Sequence, residues 1–246
     1  MYYFASDMHL GSGTPEECRR RELEVVGWLD KVGADAKGIF LVGDVFDFWY
    51  EYKRVVPKGF TRLLGKLSEL TDRGVEIYFV PGNHDMWQRD YLEKECGIKV
   101  CFKVIRTTLS GRKIAVEHGD EIYARALGGG TRLMNSIFRS RTCRWLFSHL
   151  IHPDFALRFG QGWSHGSRKS KDITFPFAGA EDPMVKDAER RVAEGEQTDI
   201  FVFGHNHCSE EYTLSGGQKA FFLGNWFHEP VYGVLDEEGK FTLKRV

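Results

Sequence analysis

The sequence predicts an α/β protein in which a parallel sheet with helices on its faces is followed by a more antiparallel section. Two observations support this fold class. Short apolar runs recur along the chain, and segments with helical spacing separate the first three of them. After Val100 the runs follow one another across short turns, such as Ser110-Gly111-Arg112 and Asp236-Glu237-Glu238-Gly239.

Eight apolar runs, each closed by polar or glycine residues, have the composition of strands. They are Tyr2 to Ala5, Gly38 to Val42, Val75 to Val80, Lys113 to Val116, Ile200 to Phe203, Lys219 to Leu223, Val231 to Leu235 and Phe241 to Val246. Two helices are predicted from the spacing of Leu23, Val26, Trp28 and Leu29, and of Phe60, Leu63, Leu64, Leu67 and Leu70. Strands that alternate with helices in this order form a parallel sheet covered by helices.

The length and composition narrow the class of protein. The 246 residues, 42% hydrophobic and 28% charged, exclude disorder and suffice for one core carrying a smaller insertion. No run approaches the roughly eighteen apolar residues of a membrane-spanning helix, and the N-terminal residues lack the pattern of a signal peptide. The five cysteines form no CxxC pair, which argues against a disulfide framework and a cysteine zinc knuckle. We therefore expect a cytoplasmic protein with reduced thiols.

Residues 125–171 break the pattern and are predicted as a helical cap inserted into a core formed by residues 1–124 and 172–246. This segment holds nine basic residues against one acid, Asp154, so it carries +8; because the whole chain carries −1, the remainder carries −9. The cap also contains large aromatic residues, namely Phe138, Trp145, Phe147, Phe155, Phe159 and Trp163. Its partner is therefore expected to be anionic and also apolar or aromatic.

Five short polar motifs lie at or just beyond the ends of predicted strands. They are Asp7-Met8-His9, Gly43-Asp44-Val45-Phe46-Asp47, Gly82-Asn83-His84-Asp85, His118-Gly119-Asp120 and Gly204-His205-Asn206-His207. Because the carboxyl ends of strands in an open α/β sheet face one crevice, we expect these side chains to converge. Carboxylate, imidazole and carboxamide groups suit Mn²⁺, Fe²⁺ or Zn²⁺, whereas the lack of thiolate ligands argues against a structural zinc site.

The number of candidate ligands predicts two metal ions. Seven residues are candidates, more than one site uses: Asp7, His9, Asp44, Asn83, His118, His205 and His207. A carboxylate such as that of Asp44 can bridge two ions. Two ions about 3.5–4 Å apart stabilise both the attacking and the leaving oxygen of a phosphoryl displacement.

Other residues of the motifs are predicted to support the ligands. Gly43, Gly82 and Gly204 allow the turns after the strands to pass close to the ions. Asp47 and Asp85 are expected to orient ligands through hydrogen bonds, because coordinating imidazoles need such partners. The sequence leaves two roles open for Asp120, which either orients a ligand in the same way or caps a turn.

The patterns D-x-H, G-D-x-x-D, G-N-H-D, H-G-D and G-H-x-H, in this order from Asp7 to His207, resemble those of the calcineurin-like metallophosphoesterases. The resemblance implies a four-layer α/β/β/α sandwich with two metals at the sheet edge. It implies that one ion is held by Asp7, His9, Asp44 and His207, and the other by Asp44, Asn83, His118 and His205. It also implies that Asn83 and His84 contact the scissile phosphate, and that His84 protonates or stabilises the leaving oxygen. Asp44 and His84 are therefore the expected catalytic residues.

A narrower resemblance covers most of the chain. Asp7 to Leu10, Asp44 to Trp49, the basic insertion after His118-Gly119-Asp120, and Leu223 to Trp226 are similar to the UDP-2,3-diacylglucosamine diphosphatases of lipid A synthesis. This resemblance implies hydrolysis of the pyrophosphate of an acylated sugar nucleotide, which releases UMP and 2,3-diacylglucosamine 1-phosphate. It implies manganese as the usual metal and cap helices that surround the acyl chains.

The same resemblance implies a peripheral position on the inner leaflet of the inner membrane. Within the cap, Ser164 and Lys171 are the two residues whose substrate-binding role it carries over. The chain departs from the family at Gly82-Asn83-His84-Asp85, because the best-known diphosphatases have arginine in place of His84. This departure places the chain in a divergent branch or in a sister group of phosphoesterases.

Three alternatives remain open at this stage. The same two-metal core could serve a soluble phosphodiesterase, nucleotidase or phosphatase, although such enzymes do not need the large apolar side chains of the cap. A non-catalytic scaffold could keep the fold, although the complete ligand set disfavours it. Nucleic acid is not expected as a partner, because the body is acidic and has no long basic track. The sequence does not indicate whether the protein is a monomer or an oligomer.

Overall fold

The computed structural model describes residues 1–156, 160, 162, 177–227 and 229–246. The strands in these residues are β1 (Tyr2–Ala5), β2 (Gly38–Val42), β3 (Glu76–Val80), β4 (Lys99–Val100), β5 (Ile105–Leu109), β6 (Arg112–Glu117), β7 (Ile200–Phe203), β8 (Ser209–Thr213), β9 (Lys219–Leu223), β10 (Val231–Leu235) and β11 (Phe241–Arg245). The helices are α1 (Pro15–Val32), α2 (Thr61–Asp72), α3 (Tyr91–Cys96), α4 (Asp120–Leu127), α5 (Gly129–Arg139), α6 (Arg141–Leu150) and α7 (Pro183–Ala193).

The strands form two sheets. The first has the order β11-β10-β1-β2-β3-β4, in which β1 to β4 pair in parallel and β10 and β11 are antiparallel to their neighbours. The second has the order β5-β6-β7-β9-β8, in which β6, β7 and β9 are parallel and the two outer strands are antiparallel. The carboxyl ends of the parallel strands β1, β2 and β3 therefore lie along one edge of the first sheet.

Three apolar clusters separate four layers, as the predicted fold class requires. Alternation along the strands assigns each side chain to a cluster: Ile39 and Leu41 of β2 pack with α1 and α2, whereas Phe40 packs between the sheets. In β7, Val202 packs between the sheets and Phe201 packs against α7. The observed architecture is thus helices, sheet, sheet and helices.

Helix α1 begins with a capping box and buries a different stripe from the one predicted. Thr14 Oγ1 accepts from the amide of Glu17 at 3.2 Å, and the Glu17 carboxylate accepts from the Thr14 amide at 2.7 Å. The buried apolar residues of the helix are Val25, Trp28, Leu29 and Val32. The spacing in the sequence predicted Leu23 on this face, but its side chain is 50% exposed, because the buried stripe runs at i, i+3, i+4 and i+7 from Val25.

Strands β1, β2, β7, β9 and β10 have the predicted bounds, but three strands were not predicted. These are β4, which lies at one edge of the first sheet, and β5 and β8, which lie at the two edges of the second. An edge strand needs no continuous apolar run, and the five residues of β8, Ser-Glu-Glu-Tyr-Thr, are mostly exposed. The structure also pairs β10 with β1 and β11 with β10, so these two strands complete the first sheet and are not part of a separate antiparallel section.

Helices α5 and α6 lie within the predicted cap, and α4 runs into it from the core. Residues 157–159, 161 and 163–171 of the predicted cap lie outside the described residues. Three aromatic side chains of the body donate hydrogen bonds to backbone carbonyl oxygens of the cap: Tyr50 to Arg144 at 3.0 Å, Tyr52 to Ile151 at 3.0 Å and Trp87 to Phe138 at 2.7 Å. Within the described residues, no helix combines the length and the apolar character needed to cross a membrane.

Candidate metal centre and active site

The five motifs converge where the carboxyl ends of parallel strands from both sheets meet. Strands β1, β2 and β3 of the first sheet and β6 and β7 of the second lead into the loops that carry the predicted ligands. Most of these side chains are withdrawn from solvent; Asp7, His9, Asp44, His84 and His118 are all buried. Residues nearly 200 positions apart in the chain thus form one polar centre inside an apolar body.

The first group consists of Asp7, His9 and His207, whose ligand atoms lie within 4.8 Å of one another. His207 Nε2 is 3.2 Å from Asp7 Oδ1, and His9 Nε2 is 3.7 Å from the same oxygen. The two imidazole Nε2 atoms face each other at 3.4 Å. Two nitrogen lone pairs at this distance repel, so the arrangement calls for a proton or a metal cation between them.

The second group consists of Asp44, His118 and His205, again within 4.8 Å. His118 Nε2 is 3.3 Å from Asp44 Oδ2. The same Oδ2 atom lies 3.8 Å from His9 Nε2. A single carboxylate oxygen therefore faces both groups, which is the position a bridging ligand must occupy.

Hydrogen bonds to the outer atoms of these side chains leave the inner atoms for a ligand. Asp7 Oδ2 accepts from the Ser6 hydroxyl and from the amide of His205, and Asp44 Oδ1 accepts from the amide of His84. His118 Nδ1 lies 2.8 Å from the carbonyl oxygen of Val42, which can only accept, so Nδ1 carries a proton and Nε2 is the nitrogen that faces the metal site. This pattern orients a ligand from the side opposite to the metal.

The residues fit divalent metal ions by two tests. Among the described residues, the buried atoms Asp7 Oδ1, Asn83 Oδ1 and His118 Nε2 have no hydrogen-bond partner, although buried polar atoms normally have one. Two ligand atoms about 2.1 Å from one ion lie about 3.0–3.4 Å apart at angles of 90–110°. The distances of 3.2, 3.3 and 3.4 Å between ligand atoms fall in this range.

The electrostatic field of the centre favours cations. Burial alone lowers the pKa of His9, but the carboxylates of Asp47 and Asp7 outweigh burial and raise the pKa to about 9. The pKa of His118 rises to about 10 in the same way, because the negative charge of Asp44 outweighs burial. Conversely, the imidazoles hold the pKa of Asp7 and of Asp44 well below the usual range against the effect of burial. Divalent ions can replace these protons as the compensating charge.

The three predicted glycines are sites of close approach. A Cβ at Gly82 would lie 2.2 Å from Asp44 Oδ1, and one at Gly204 would lie 2.1 Å from Ser6 Oγ. Gly43 combines a positive φ of 81° with a Cβ position 2.4 Å from His118 Nδ1. A side chain at any of the three would occupy the space of a ligand or of the group that orients it.

His84 lies beside both groups. Its Nδ1 is 2.8 Å from the carbonyl oxygen of Asp47, so this nitrogen carries a proton, and its Nε2 is 3.9 Å from Asp44 Oδ2. The ring meets that of His9 edge-on at 4.8 Å. The Nε2 atom of His84 therefore faces the interior of the centre, where a substrate group next to Asp44 would lie.

The two aspartates predicted to orient ligands occupy different places. Asp47 Oδ1 lies 3.5 Å from His9 Nδ1, on the side of the imidazole away from Asp7 and Asp44. The Asp85 carboxylate contacts the backbone: it accepts from the amides of Val45 and Gly82, both at 2.8 Å. Burial, together with the charge of Asp44, raises the pKa of Asp85 to about 7.

Asp120 joins the centre to the cap. It is the first residue of α4, directly after His118-Gly119, and its carboxylate binds Arg139 Nη2 at 2.6 Å. Arg139 ends α5 and also contacts Glu121 at 2.8 Å and Asn135 at 3.2 Å. Of the two roles left open by the sequence, the observed contact matches neither fully, since the carboxylate holds a cap arginine.

The structure brings together six of the seven predicted ligands with His84, Asp47 and Asp85: Asp7, His9, Asp44, His118, His205 and His207. The seventh, Asn83, precedes His84 in the same loop and has a buried Oδ1. Ser164 and Lys171 lie outside the described residues. Four further residues at the centre were not predicted. Ser6 binds Asp7; the ring of Tyr123 contacts that of His205 at 5.3 Å; Arg21 and Phe227 pack beside His9. Ser6 adjoins a ligand and could have been found by position, but Arg21 and Tyr123 lie on helices without a motif.

A two-sheet α/β sandwich with buried carboxylates and imidazoles at its strand ends defines a metal-dependent hydrolase. The sequence profile described as calcineurin-like phosphoesterase matches residues 2–209, and the chain belongs to this family. Among curated relatives, UDP-2,3-diacylglucosamine hydrolase of Porphyromonas gingivalis W83 is 37% identical over 95% of this chain and 93% of the relative. The enzyme of the same name from Aeromonas salmonicida is 25% identical over 92% of this chain and 86% of the relative.

A solved structure described as a novel archaeal phosphodiesterase aligns with the whole of this chain and 99% of its own, with 11% identity and a TM-score of 0.48. The family assignment implies divalent metals, for which the structure provides the candidate groups described above.

Proposed function

We propose that the chain is a two-metal phosphoesterase that hydrolyses the pyrophosphate of UDP-2,3-diacylglucosamine to UMP and 2,3-diacylglucosamine 1-phosphate. The observation that carries the proposal is the similarity, over nearly the full length of both chains, to the P. gingivalis protein named for this substrate. The convergence of the ligand groups supports the chemistry, and the exposed apolar face of the cap helices supports the lipid part of the substrate.

In this proposal Asp7, His9, Asp44 and His207 hold one ion, and Asp44, Asn83, His118 and His205 hold the other. When bound, two such ions activate a water nucleophile and stabilise the charge that develops on the attacking and leaving oxygens. Manganese is the proposed metal, with Fe²⁺ or Zn²⁺ as alternatives that suit the same ligands.

His84 is the proposed general acid. Its Nδ1 proton is committed to the carbonyl oxygen of Asp47, so the imidazole can donate to a leaving oxygen only through Nε2. Nε2 lies 3.9 Å from Asp44 Oδ2, and the transfer requires that Nε2 carry a proton as well. Asn83 precedes His84 in the same loop and is proposed to contact the phosphate as well as a metal.

The cap helices present the apolar surface that an acylated substrate needs. Their exposed large side chains include Leu133, Ile137, Trp145 and Leu150, with exposures of 63%, 44%, 54% and 74%. Each methylene that leaves water gains about 0.8 kcal/mol, so acyl chains gain strongly from such a surface. Ser164 and Lys171 remain the proposed cap residues that bind the polar part of the substrate.

The same surface motivates a proposed peripheral position at the inner leaflet of the inner membrane. Exposed apolar side chains that alternate with arginines, such as Arg132 beside Leu133, match the interface between acyl chains and anionic headgroups. An enzyme placed there meets an amphiphilic substrate without extracting it fully into water.

The test compares three substrates with the manganese-loaded protein: UDP-2,3-diacylglucosamine, a UDP-sugar without acyl chains, and bis-p-nitrophenyl phosphate. We expect the acylated substrate to give the highest kcat/KM by far. Asp44→Ala and His118→Ala should abolish turnover and bind fewer than the two ions of the parent, measured by metal analysis. Equal rates on acylated and unacylated substrates would contradict the lipid assignment, and full turnover by either variant would contradict the metal assignment.

A second experiment addresses His84. His84→Ala should lower kcat by about 10²–10⁴-fold, the range for a positioned general acid, while metal content stays near that of the parent. The loss should be smaller for an activated aryl diester, whose leaving group needs no proton. An equal loss on both substrates would mean that His84 orients the phosphate and does not donate a proton.

A further inference from the structure

Phe227 contacts two candidate ligands of the same ion. It follows the Leu223-Gly224-Asn225-Trp226 segment after β9, and its ring stacks on the imidazole of His9 with centroids 5.2 Å apart and planes inclined by 27°. The ring of His207 lies 6.4 Å away. Phe227 is half-buried, so its ring lies between solvent and the group formed by Asp7, His9 and His207.

Arg21 of α1 holds the same ring and the same ligand. The carbon at the centre of its guanidinium lies 4.4 Å from the centroid of the Phe227 ring, within the range of a cation–π contact. Its Nη1 donates to the carbonyl oxygen of His9 at 3.1 Å and to the hydroxyl of Ser12 at 2.9 Å. Arg21, Phe227 and His9 therefore form a closed triangle that ties α1 to the loops after β1 and β9.

The backbone amide of Phe227 and the two residues before it are also hydrogen-bonded to this group. The amide of Phe227 donates to Asn225 Oδ1 at 2.9 Å, and Asn225 Nδ2 donates to the carbonyl oxygen of His207 at 3.2 Å. The amide of Trp226 donates to the carbonyl oxygen of Asp7 at 3.1 Å. The position of the ring is consequently set by the same loops that position the ligands.

His9 needs such support more than a ligand on regular structure does. Its φ of 45° lies in the left-handed region, which is unfavourable for residues other than glycine. Rotation of the imidazole about the bond that joins it to Cβ is limited by Asp47, 3.5 Å from Nδ1, and by the edge-on ring of His84 at 4.8 Å. A flat aromatic face against the ring restricts this motion and keeps Nε2 directed at Asp7 and Asp44.

We propose that Phe227, held by Arg21, is a positioning residue that fixes the imidazole of His9 and thereby sets the affinity of one of the two metal sites. The inference rests on the proposed ligand assignment, and it predicts an asymmetry. In the described residues, the group of Asp44, His118 and His205 contacts Tyr123 and not Phe227. Loss of the Phe227 ring should therefore lower the affinity for one ion and leave the affinity for the other unchanged.

The experiment titrates the metal-free protein with Mn²⁺ and, separately, with Co²⁺, using calorimetry and the visible absorption of bound cobalt. Phe227→Ala should weaken one of two binding events by about 10–100-fold, the usual effect of removing a group that orients a ligand, and leave the other unchanged. Phe227→Tyr keeps the ring and should restore the affinity of the parent. Phe102→Ala, at a phenylalanine that is 52% exposed, is the matched control and should change neither event.

Arg21→Ala should lower the affinity of the same event as Phe227→Ala, and the double variant should be little weaker than either single one, because both act through one contact. Unchanged binding in Phe227→Ala overturns the proposal. Equal weakening of both events together with a lower unfolding temperature of the metal-free protein also overturns it, since that result indicates general loss of structure. These measurements use no substrate, so failure of the proposed hydrolysis leaves their outcome readable. If the parent protein binds a single ion, the affinity for that ion must be lower in Phe227→Ala for the proposal to stand.

Discussion

Among the described residues, seven that are not glycine have a positive φ, and five of these are Asp7, His9, Asp44, His205 and His207. Such conformations cost on the order of 1–3 kcal/mol each and persist only where surrounding contacts hold them. The contacts are present: the amide of Asp7 donates to the Gly43 carbonyl at 3.1 Å and that of His9 to the Asp44 carbonyl at 2.8 Å. The backbone of these loops is therefore strained at the candidate ligands, and this conformation directs the ligand side chains into the centre.

Gly82→Ala tests how tightly these loops pack. The φ of Gly82 is not in the left-handed region, so any effect arises from space and not from backbone strain. The added Cβ would lie 2.2 Å from Asp44 Oδ1 and 2.7 Å from His118 Nε2, and it would displace both. Because misplacement of a reacting group by about 1 Å can cost about 10²-fold, we expect kcat/KM to fall by at least about that factor and metal affinity to fall with it.

Gly65→Ala is the matched control. Gly65 lies inside α2, and nothing lies within 4 Å of its Cβ position. Alanine there should leave kcat/KM unchanged and raise the free energy of unfolding by about 0.5–1 kcal/mol, because glycine is a poor residue inside a helix. Normal activity and metal content in Gly82→Ala would show that the loops can relax away from the new methyl group.

At the scale of secondary structure elements, α7 is attached to the second sheet by an ion-pair network. Arg191 of α7 is buried, and its guanidinium donates to Glu196 at 2.7 and 2.9 Å and also contacts Glu117, the last residue of β6. Arg106 of β5 reaches Glu196 as well, at 3.2 Å. Because Glu117 directly precedes His118, this network connects α7 to a strand that carries a candidate ligand.

The network predicts a specific dependence of stability on pH. Hydrogen bonds from Arg191, aided by Arg106, lower the pKa of Glu196 from 4.5 to about 2. A carboxyl whose pKa is lower in the folded than in the unfolded chain stabilises fully above the unfolded pKa, and the stabilisation is lost as the pH falls through the folded pKa. The contribution of Glu196 should therefore be complete above about pH 4.5 and decline toward pH 2.

Glu196→Gln measures this contribution. At pH 7 the variant should be less stable by about 1–3 kcal/mol, the usual contribution of hydrogen bonds to a charged group. Urea unfolding of both proteins in the presence of a chelator, from pH 7 down to pH 3, should show the difference shrinking below about pH 4.5. The chelator removes the contribution of bound metal, and a difference that stays constant with pH would rule out the ion pair as its source.

At the scale of the whole molecule, the proposed function assigns the phosphoryl chemistry to the body and the binding of the acyl chains to the predicted cap. The two sheets bring the ligands together, whereas the cap adds an exposed apolar surface and a charge of +8 to an acidic remainder. The two parts are joined near the centre through Asp120 and Arg139, and farther away through hydrogen bonds from Tyr50, Tyr52 and Trp87. Changes to the exposed face of the cap should therefore affect substrate choice more than chemistry.

Replacing residues 130–165 with a short glycine-serine linker should lower activity on UDP-2,3-diacylglucosamine far more than on bis-p-nitrophenyl phosphate. A smaller change tests the same point without removing the link between Asp120 and Arg139: Trp145→Ser combined with Leu150→Ser. If the two apolar side chains together shield only two methylenes of the acyl chains from water, their loss costs about 1.6 kcal/mol. The double variant should therefore lose at least about tenfold in kcat/KM on the acylated substrate. Activity on the diester should stay within about twofold of the parent.

Unchanged activity of both variants on the lipid substrate would contradict the acyl-binding role of the cap and leave the phosphoesterase chemistry intact. Equal losses on both substrates would mean that the cap completes the core. Leu23→Ser on α1 is the control for exposed apolar residues in general, since Leu23 is 50% exposed and lies on the helical layer of the body.

Much of the fold and of the site could be predicted from the sequence, because both depend on local patterns. Short apolar runs closed by polar or glycine residues predicted eight strands, and five were found with the predicted bounds. The candidate ligands are short motifs at strand ends, and the rule that such ends share one crevice suffices to bring Asp7, Asp44 and Asn83 together. Polar edge strands such as β8 carry no such pattern, which explains why they were not predicted.

Tertiary structure alone decided the contacts between segments that share no motif. Nothing in the sequence near Arg21 indicates that its guanidinium meets Phe227, more than 200 positions away, or that Asp120 binds Arg139. The pairing of β10 with β1 is of the same kind, because a strand pattern specifies which face is buried but not which neighbour it joins. Packing of the two sheets and their helices settles these choices, since each depends on burying the whole apolar surface at once. The candidate ligands could therefore be predicted from local motifs, whereas the residues that contact and orient these ligands could be identified only from the fold.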